Sequence, residues 1–240
     1  MNNQKPRITI PETFMGVPIK GAMERKLKEL EGQKRQGRQE TQTNVRVNAP
    51  DIQGMIYVSS ANLYFAKQRT HLNLNWDQTH ETLAQEKLRM PTIEEFRKTL
   101  NYLKNSQEQE YQELYNEITE VRSPWRANWL DAYFEKRKDG FYILTANKKK
   151  AEKLENCLMK NKTPGISLEQ WISSTNITSQ GLPSPNIDDG DLYYWCPENG
   201  KVARFFADSG RAGLNCFRDP DYRDSNLGVF GVADIGKNAR

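Results

Sequence analysis

Residues 202–236 contain no lysine, glutamate, glutamine, methionine or tryptophan, although all five types recur throughout the preceding chain. The stretch is instead rich in Gly, Asp, Ser and Asn, and it holds four arginines and four aspartates between 202 and 232. Gly, Asp, Ser, Asn and Pro favour tight, irregular turns. Because the long helix-forming side chains are missing, this part of the chain is expected to fold as short strands and loops.

Turn-forming sequence does not by itself account for the missing residue types. Surface loops readily accept Lys, Glu and Gln, and four arginines beside no lysine follow from no rule of loop structure. The five absent types share one property of the genetic code, because no codon that ends in a pyrimidine encodes them. That composition is expected where adenines in AAC or AAT template codons are replaced at random.

The overall composition limits the kinds of protein that this chain can be. The chain has 240 residues, of which 36% are hydrophobic and 28% charged, which suits one soluble globular domain or one domain plus an appended segment. The net charge of +4 is concentrated in residues 20–46 and in the lysines at 148–150, so no broad nucleic-acid-binding face is implied. No apolar run of 18 residues and no apolar stretch behind the polar N-terminus is present, so neither a membrane span nor a secretory signal is expected.

Residues 1–49 are predicted to form a partly flexible arm with a short helix. Met23, Leu27 and Leu30 have helical spacing and are followed by Gly32 and Gly37. A solvated arm, an oligomerisation or docking segment, and a basic segment that binds polyanions all remain open.

Residues 50–240 are predicted to form the folded domain. Strands are expected at 55–58 and 63–66, and helices within 75–135, of which the helix that starts near 93 has a capping box of Thr92 and Glu95. Further predictions are a strand at 141–145, a solvent-facing insertion at 148–165, a short helix within 166–174, a loop at 175–190 and strands at 191–196 and 202–206.

A family resemblance rests on a specific C-terminal pattern. Its elements are Ala207-Asp208-Ser209, Leu214, Cys216, Pro220, Arg223-Asp224-Ser225 and Leu227-Gly228-Val229, preceded by "EITEVRSPWRANWLDAYF" at 117–134 and "SQGLPSPNIDDGDLYYWCPENGKVA" at 179–203. Over about residues 52–234 the chain resembles the variable proteins of diversity-generating retroelements, of the archaeal and small-genome bacterial kind. Phe230 departs from the pattern, since relatives often carry arginine there.

The resemblance implies a fold and a function. The fold would be α+β, a C-type lectin fold related to the formylglycine-generating-enzyme domain, with short strands, two or more flanking helices and much irregular loop. The protein would be a non-catalytic, ligand-binding protein without a cofactor, with a variable region at about 202–232. Its ligand would be a protein on a target cell or virus surface, and the protein itself would be displayed on a virion or cell surface.

A variable region needs fixed inward residues and changeable outward ones. The predicted inward set is Ala203, Ala207, Ala212, Leu214, Cys216, Leu227 and Val229, and Arg204, Asp208, Arg223 and Asp224 are predicted to make ion pairs or hydrogen bonds beneath the loops. The predicted outward, ligand-binding set is Phe205, Phe206, Arg211, Gly213, Asn215, Phe217, Arg218, Asp219, Asp221, Tyr222, Asn226 and Phe230. Aromatic and arginine side chains dominate binding energy at protein interfaces.

Catalytic and metal-binding alternatives have weaker support in the sequence. His71 and His80 are the only histidines, and neither lies beside a nucleophile in the sequence. An enzyme of the formylglycine-generating kind would use Cys196 or Cys216, although buried structural thiols are the favoured interpretation. Three aspartates, at 188, 189 and 191, suit either a calcium site or a turn, and the turn is favoured.

Overall fold

The computed structural model describes residues 52–154, 156–173 and 177–235, together with the backbone of two short strands near the N-terminus. The chain divides into two compact units, Met1–Val47 and Asn48–Arg240. In the first unit, β1 (Thr13–Phe14) and β2 (Val17–Pro18) form an antiparallel pair. The predicted helix with Met23, Leu27 and Leu30 lies outside the described residues, as do the possible oligomerisation and polyanion-binding roles of this arm.

The second unit is a mixed α+β structure. Its helices within the described residues are α1 (Trp76–Gln85), α2 (Ile93–Asn105), α3 (Gln109–Thr119) and α4 (Leu168–Ser173). The predicted capping box of α2 is present, because the Glu95 N–H donates to Thr92 Oγ1 at 3.2 Å and the Thr92 N–H donates to Glu95 Oε2 at 2.8 Å. Among the described residues, no helix combines the length and apolar character that crossing a membrane requires.

The strands of the second unit form two sheets. They are β3 (Met55–Val58), β4 (Leu63–Ala66), β5 (Arg126–Arg137), β6 (Gly140–Thr145), β7 (Lys150–Lys153), β8 (Lys162–Ile166), β9 (Leu192–Trp195), β10 (Lys201–Ala207), β11 (Ala212–Arg218), β12 (Leu227–Gly228) and β13 (Val232–Asp234). The larger sheet has the order β7-β6-β5-β10-β11-β9-β8, with β12 paired to β5. The smaller sheet, β13-β4-β3, joins the C-terminal strand to the first hairpin of the unit.

Two regions differ from the sequence prediction. Residues 126–137, expected within a helical segment, form the long strand β5, which pairs with β10, β6 and β12. Alternate residues of β5 pack on opposite sides, and this suits an aromatic-rich segment that is buried on both faces. The predicted insertion at 148–165 contributes the edge strands β7 and β8.

Each face of the larger sheet has its own hydrophobic cluster. The main core packs α2, α3 and α4 against one face, with Phe96, Leu114 and Trp171 among its members. The second cluster lies around Trp76 of α1 and Trp129 of β5. The middle of the sheet is therefore covered by helices on one side, whereas the other side has a smaller covering.

A candidate ligand-binding surface

The candidate surface is the face of β9, β10 and β11 opposite the main core. Side chains alternate along each strand, and Phe205, Leu214 and Tyr194 enter the main core. The residues between them, with the residue before β5 and one from the loop after β11, form a continuous set of rings and guanidinium groups. We call this set the aromatic–arginine surface: Trp125, Tyr193, Trp195, Arg204, Phe206, Arg211, Phe217, Arg218 and Tyr222.

Trp195 is the hub of one half of this surface. Its ring centroid lies 5.7 Å from that of Tyr193, 5.7 Å from that of Phe206 and 6.2 Å from that of Phe217. The guanidinium carbon of Arg211 lies 5.1 Å from the Tyr193 centroid, within the range of a cation–π contact. Tyr193, Trp195 and Phe217 are half-buried, so part of each ring faces solvent.

Arg204 is the centre of the other half. Its guanidinium carbon lies 5.2 Å from the Trp125 centroid, 5.5 Å from that of Phe206 and 5.3 Å from that of Tyr222. Arg218 approaches the Tyr222 centroid to 3.5 Å, so two cations share one phenol ring. Rings can hold a guanidinium by cation–π attraction, but they offer its N–H groups no strong acceptor.

The charge of Arg204 is poorly compensated. The residue is 7% exposed, and within the described residues its Nε and Nη1 atoms are buried without a hydrogen-bond acceptor. Burial, reinforced by repulsion from Arg218, lowers the pKa of Arg204 to about 10, with Tyr222 and Asp224 opposing the shift. Arg204 is still a cation at neutral pH, in a place where a cation is costly.

The loops beside the strands are shaped by aspartates. Asp208 Oδ1 accepts hydrogen bonds from the Gly210 N–H at 2.7 Å and the Arg211 N–H at 2.9 Å. Asp224 Oδ1 accepts from the Asn226 N–H at 2.8 Å. Side chain-to-backbone bonds of this kind hold a turn without help from the outward side chains.

The structural roles predicted for Arg204, Asp208, Arg223 and Asp224 are therefore met by some of these residues and not by others. Asp208 and Asp224 make the expected hydrogen bonds, and Asp208 also lies 3.9 Å from Arg211. For Arg223 the expectation is wrong, because within residues 52–154, 156–173 and 177–235 it forms neither an ion pair nor a hydrogen bond. Arg204 forms no ion pair there either, but a side-chain hydrogen bond with Tyr222 helps to hold its charge. Arg204 is enclosed by rings and Arg223 is exposed.

The twelve predicted ligand-binding residues fall into three groups. Arg211, Asp219, Asp221 and Asn226 are exposed, and Phe217, Arg218 and Tyr222 are half-buried. These seven lie on one side of the sheet or in the loop after β11. Phe206, Gly213 and Asn215 lie on the same face but are buried, and Phe205 and Phe230 lie in the main core.

The prediction of outward side chains is wrong for Phe205 and Phe230. Phe205 stacks on Trp171 with the ring centroids 6.1 Å apart, and Phe230 stacks on Phe65 at 5.3 Å. Neighbouring residues of a strand point to opposite faces, so Phe205 and Phe206 cannot both face outward. Phe230 follows β12 at the point where the chain re-enters the core before β13.

The three buried residues of the outward face also depart from the prediction. A Cβ atom at Gly213 would lie 2.7 Å from a Phe206 ring carbon and 2.8 Å from one of Trp195. A larger side chain at 213 would therefore displace these rings. Asn215 Oδ1 accepts a hydrogen bond from the Phe217 N–H at 3.1 Å. These residues form the floor beneath the exposed side chains.

Four members of the surface are absent from the predicted ligand-binding set. Trp125, Tyr193 and Trp195 lie outside residues 202–232, and the sequence predicts a structural role for Arg204. The alternation in "DLYYW" could have identified Tyr193 and Trp195, because Leu192 and Tyr194 are the inward pair. Trp125 is brought to the surface by the pairing of β5 with β10, for which the local sequence has no signal.

The thiols lie away from this surface. Cys216 is fully buried in the main core, and burial raises its pKa well above the ordinary value. Burial likewise raises the pKa of Cys196, which is half-buried. A raised pKa keeps a thiol protonated, whereas nucleophilic chemistry requires the thiolate.

Four of the remaining polar candidates lie close to a partner. His80 Nε2 lies 3.3 Å from Asp131 Oδ1, with both side chains buried, and His71 Nε2 lies 3.0 Å from Glu86 Oε1. Gln170 donates to Asp188, and Lys162 forms an ion pair with Asp189.

Neither a metal-binding cluster nor a relative provides a further clue to function. In the part of the chain that the structure describes, no group of three or more His, Cys, Asp or Glu side chains could hold a metal ion. No protein-family model matches this chain, and comparison with curated proteins and with solved structures likewise finds no match.

Proposed function

We propose that this chain is a non-catalytic, ligand-binding protein whose surface residues are diversified by retroelement-directed adenine mutagenesis. One observation carries the proposal: the exclusion of Lys, Glu and Gln extends to the exposed positions of the C-terminal segment. Those positions are Ser209, Gly210, Arg211, Asp219, Asp221, Arg223, Ser225, Asn226 and Ile235. Folding does not forbid Lys, Glu or Gln at such sites, so a constraint on codons is the better explanation.

The position of these residues supports binding. Exposed and half-buried members of the variable segment lie beside the rings of Trp125, Tyr193 and Trp195, which are outside it. Tyrosine, tryptophan and arginine supply most of the binding energy at interfaces, and Asn, Asp, Ser and Gly adapt the hydrogen bonding. If the rings of Trp125, Tyr193 and Trp195 stay constant while the exposed residues around them change, one fold could bind different partners.

The frame is suited to tolerate change. The outward side chains of β10 and β11 belong to strands that are anchored on their other face by Phe205, Leu214 and Cys216. Since the loops are held by aspartate-to-backbone hydrogen bonds, binding need not order them first, which avoids an entropic cost. We further propose that the α+β structure is a C-type lectin fold, consistent with its short strands and long loops, and that its ligand is a protein on a cell or virus surface.

The competing proposal is an enzyme of the formylglycine-generating kind. The raised pKa values of Cys196 and Cys216 count against it, because neither thiol is prepared to act as a thiolate at neutral pH. A polyanion-binding role would depend on the basic arm, which lies outside the described residues.

The decisive test is sequencing of the gene and its surroundings in many sister isolates. We expect substitutions at the codons of Arg211, Phe217, Asp221 and Asn226, each matching an adenine in a template repeat beside a reverse transcriptase gene. The codons of Phe205, Leu214 and Cys216 are the matched controls and should agree among isolates. Uniform codons at all seven positions, or changes unrelated to template adenines, would overturn the proposal.

A further inference from the structure

The environment of Arg204 points to the chemistry of the ligand. A guanidinium offers five N–H donors, and in this protein Nε and Nη1 lie buried without an acceptor among the described residues. The Nε atom of Arg218 is likewise buried and without a partner there. Two cations with buried, unpartnered N–H groups lie against one ring, that of Tyr222, and this carries a cost that folding alone does not require.

The nearby acidic groups make their hydrogen bonds and ion pairs with other residues. Asp219 lies 3.2 Å from Lys201 Nζ and accepts from the Asp221 N–H. Asp224 accepts from the Tyr222 hydroxyl at 3.3 Å and from the Asn226 N–H. Neither carboxylate forms an ion pair with Arg204 or Arg218 within the described residues, although Asp224 acts on Arg204 and Asp219 on Arg218 through their charges. The two arginines therefore lie at the middle of the surface without a counterion in direct contact.

The aromatic side chains around Arg204 favour the binding of an anion. Trp125, Phe206 and Tyr222 surround the Arg204 guanidinium and exclude most water from it. In such surroundings a charge-assisted hydrogen bond is stronger than in water. Tyr222 is half-buried and lies in the loop after β11, so its ring borders both the arginines and solvent.

We infer that Arg204, assisted by Arg218, is a binding point for a carboxylate of the protein ligand, which enters beside the Tyr222 ring. The carboxylate comes from an Asp or Glu side group or from the carboxyl terminus of the ligand. This inference rests on the proposed function. It gives the protein one constant preference, that of Arg204 for a carboxylate. This preference persists while the exposed positions change, because Arg204 is buried beneath them.

The test is a nitrogen-15 NMR titration of the full-length protein that follows the signal of the Arg204 Nε–H group. Burial protects this proton from exchange with water. The signal is assigned as the one that disappears in the Arg204→Gln variant. The probe for a side-group carboxylate is N-acetyl-glutamate N-methylamide, compared with its glutamine isostere. The probe for a terminal carboxylate is N-acetyl-glycine, compared with its amide. Sodium chloride at equal ionic strength controls for screening.

We expect a saturable shift of the Arg204 signal with at least one of the two acids and none with the corresponding amide. The acid that binds more tightly shows whether the ligand supplies a side-group or a terminal carboxylate. With the Trp125 indole N–H as a second reporter, Arg204→Gln should weaken binding of that acid about tenfold. Arg137→Gln, an exposed arginine at the end of β5 that contacts Glu135 and Tyr142 and lies outside the surface, should change it little. The Arg204→Gln variant should keep or raise its unfolding midpoint, because it loses a buried unpaired charge.

Three results would overturn the inference: no saturable shift with either acid, equal shifts with acid and amide, or equal shifts with sodium chloride. If Arg204→Gln does not fold, the titration of the unaltered protein and of Arg218→Gln still decides the question. Failure of the probes leaves the proposed function intact provided that gene copies vary at the exposed codons. Absence of that variation overturns the proposed function whatever the probes do.

Discussion

At the scale of single residues, the face of the strand on which a side chain lies determines what it can contribute. Phe205 and Phe217 have the same chemistry and belong to neighbouring strands, yet Phe205 packs between Phe96 and Trp171, whereas Phe217 is half-buried against Trp195. Only the second can meet a ligand or be replaced without leaving a cavity in the core.

The two phenylalanines should therefore respond differently to truncation. Phe205→Ala is expected to lower the free energy of unfolding by about 3–5 kcal/mol, because a fully buried ring is lost. Phe217→Ala should cost less than about 1.5 kcal/mol, because its ring is partly solvated already. Urea unfolding followed by tryptophan fluorescence measures both, and equal losses would contradict the assignment of the two faces.

At the scale of elements, the N-terminus of α2 is fastened to the last strand by one arginine. Arg89 donates from Nη2 to Glu95 Oε1 and to Asp234 Oδ1, both at 2.6 Å, and so connects the capping box to β13. Burial alone would raise the pKa of Glu95, but hydrogen bonds from Arg89 and Thr92 outweigh it, and the pKa is lowered. The smaller sheet and α2 are thereby held together.

This contact predicts an acid-dependent stability. A carboxyl group whose pKa is lowered by folding contributes its full stabilisation at pH values above the ordinary pKa of 4.5. This contribution is lost as the pH falls through the lowered pKa of the folded protein. Glu95→Gln should therefore cost about 1–2 kcal/mol at neutral pH and progressively less in acid. The free energy of unfolding across that pH range measures it, with Glu81→Gln on exposed α1 surface as control. A loss that did not depend on pH would contradict the ionic role of Glu95.

At the scale of the whole molecule, the larger sheet separates the main core from the face that we propose to be changeable. The main core occupies the side of α2, α3 and α4, and the aromatic–arginine surface occupies the other. Since the exposed side chains contribute little to the core, their replacement should affect recognition far more than folding.

Simultaneous replacement tests this separation. The combination Arg211→Ser, Phe217→Ser, Asp221→Ser and Asn226→Ser should lower the free energy of unfolding by less than about 2 kcal/mol. Phe230→Ser alone should cost about 4 kcal/mol or more, because it leaves a cavity and buries a hydroxyl against Phe65. Thermal unfolding compares the stabilities of the two variants. If the variant with four substitutions were less stable than Phe230→Ser, the proposed separation of a core face and a changeable face would be wrong.

Local signals in the sequence are sufficient for some elements. The strands at 55–58 and 63–66 and the strand near 141–145 are predicted, as is α2 with Thr92 and Glu95. Each depends on contacts within a few residues: period-two alternation, a short turn or a cap. The residue types missing from 202–236 are also visible without any structure, because they are a property of composition.

Only the tertiary structure decided the rest. It made 126–137 a central strand, turned Phe205 and Phe230 inward, and brought Trp125, Tyr193 and Trp195 to the segment 202–232. It also enclosed Arg204 in a ring of aromatic side chains. These outcomes depend on strand pairing between residues far apart in the chain, such as Phe206 with Ala127. The sequence by itself determined which residue types the surface can present, whereas packing determined which of them it does present, because burial is a property of neighbours that only folding brings together.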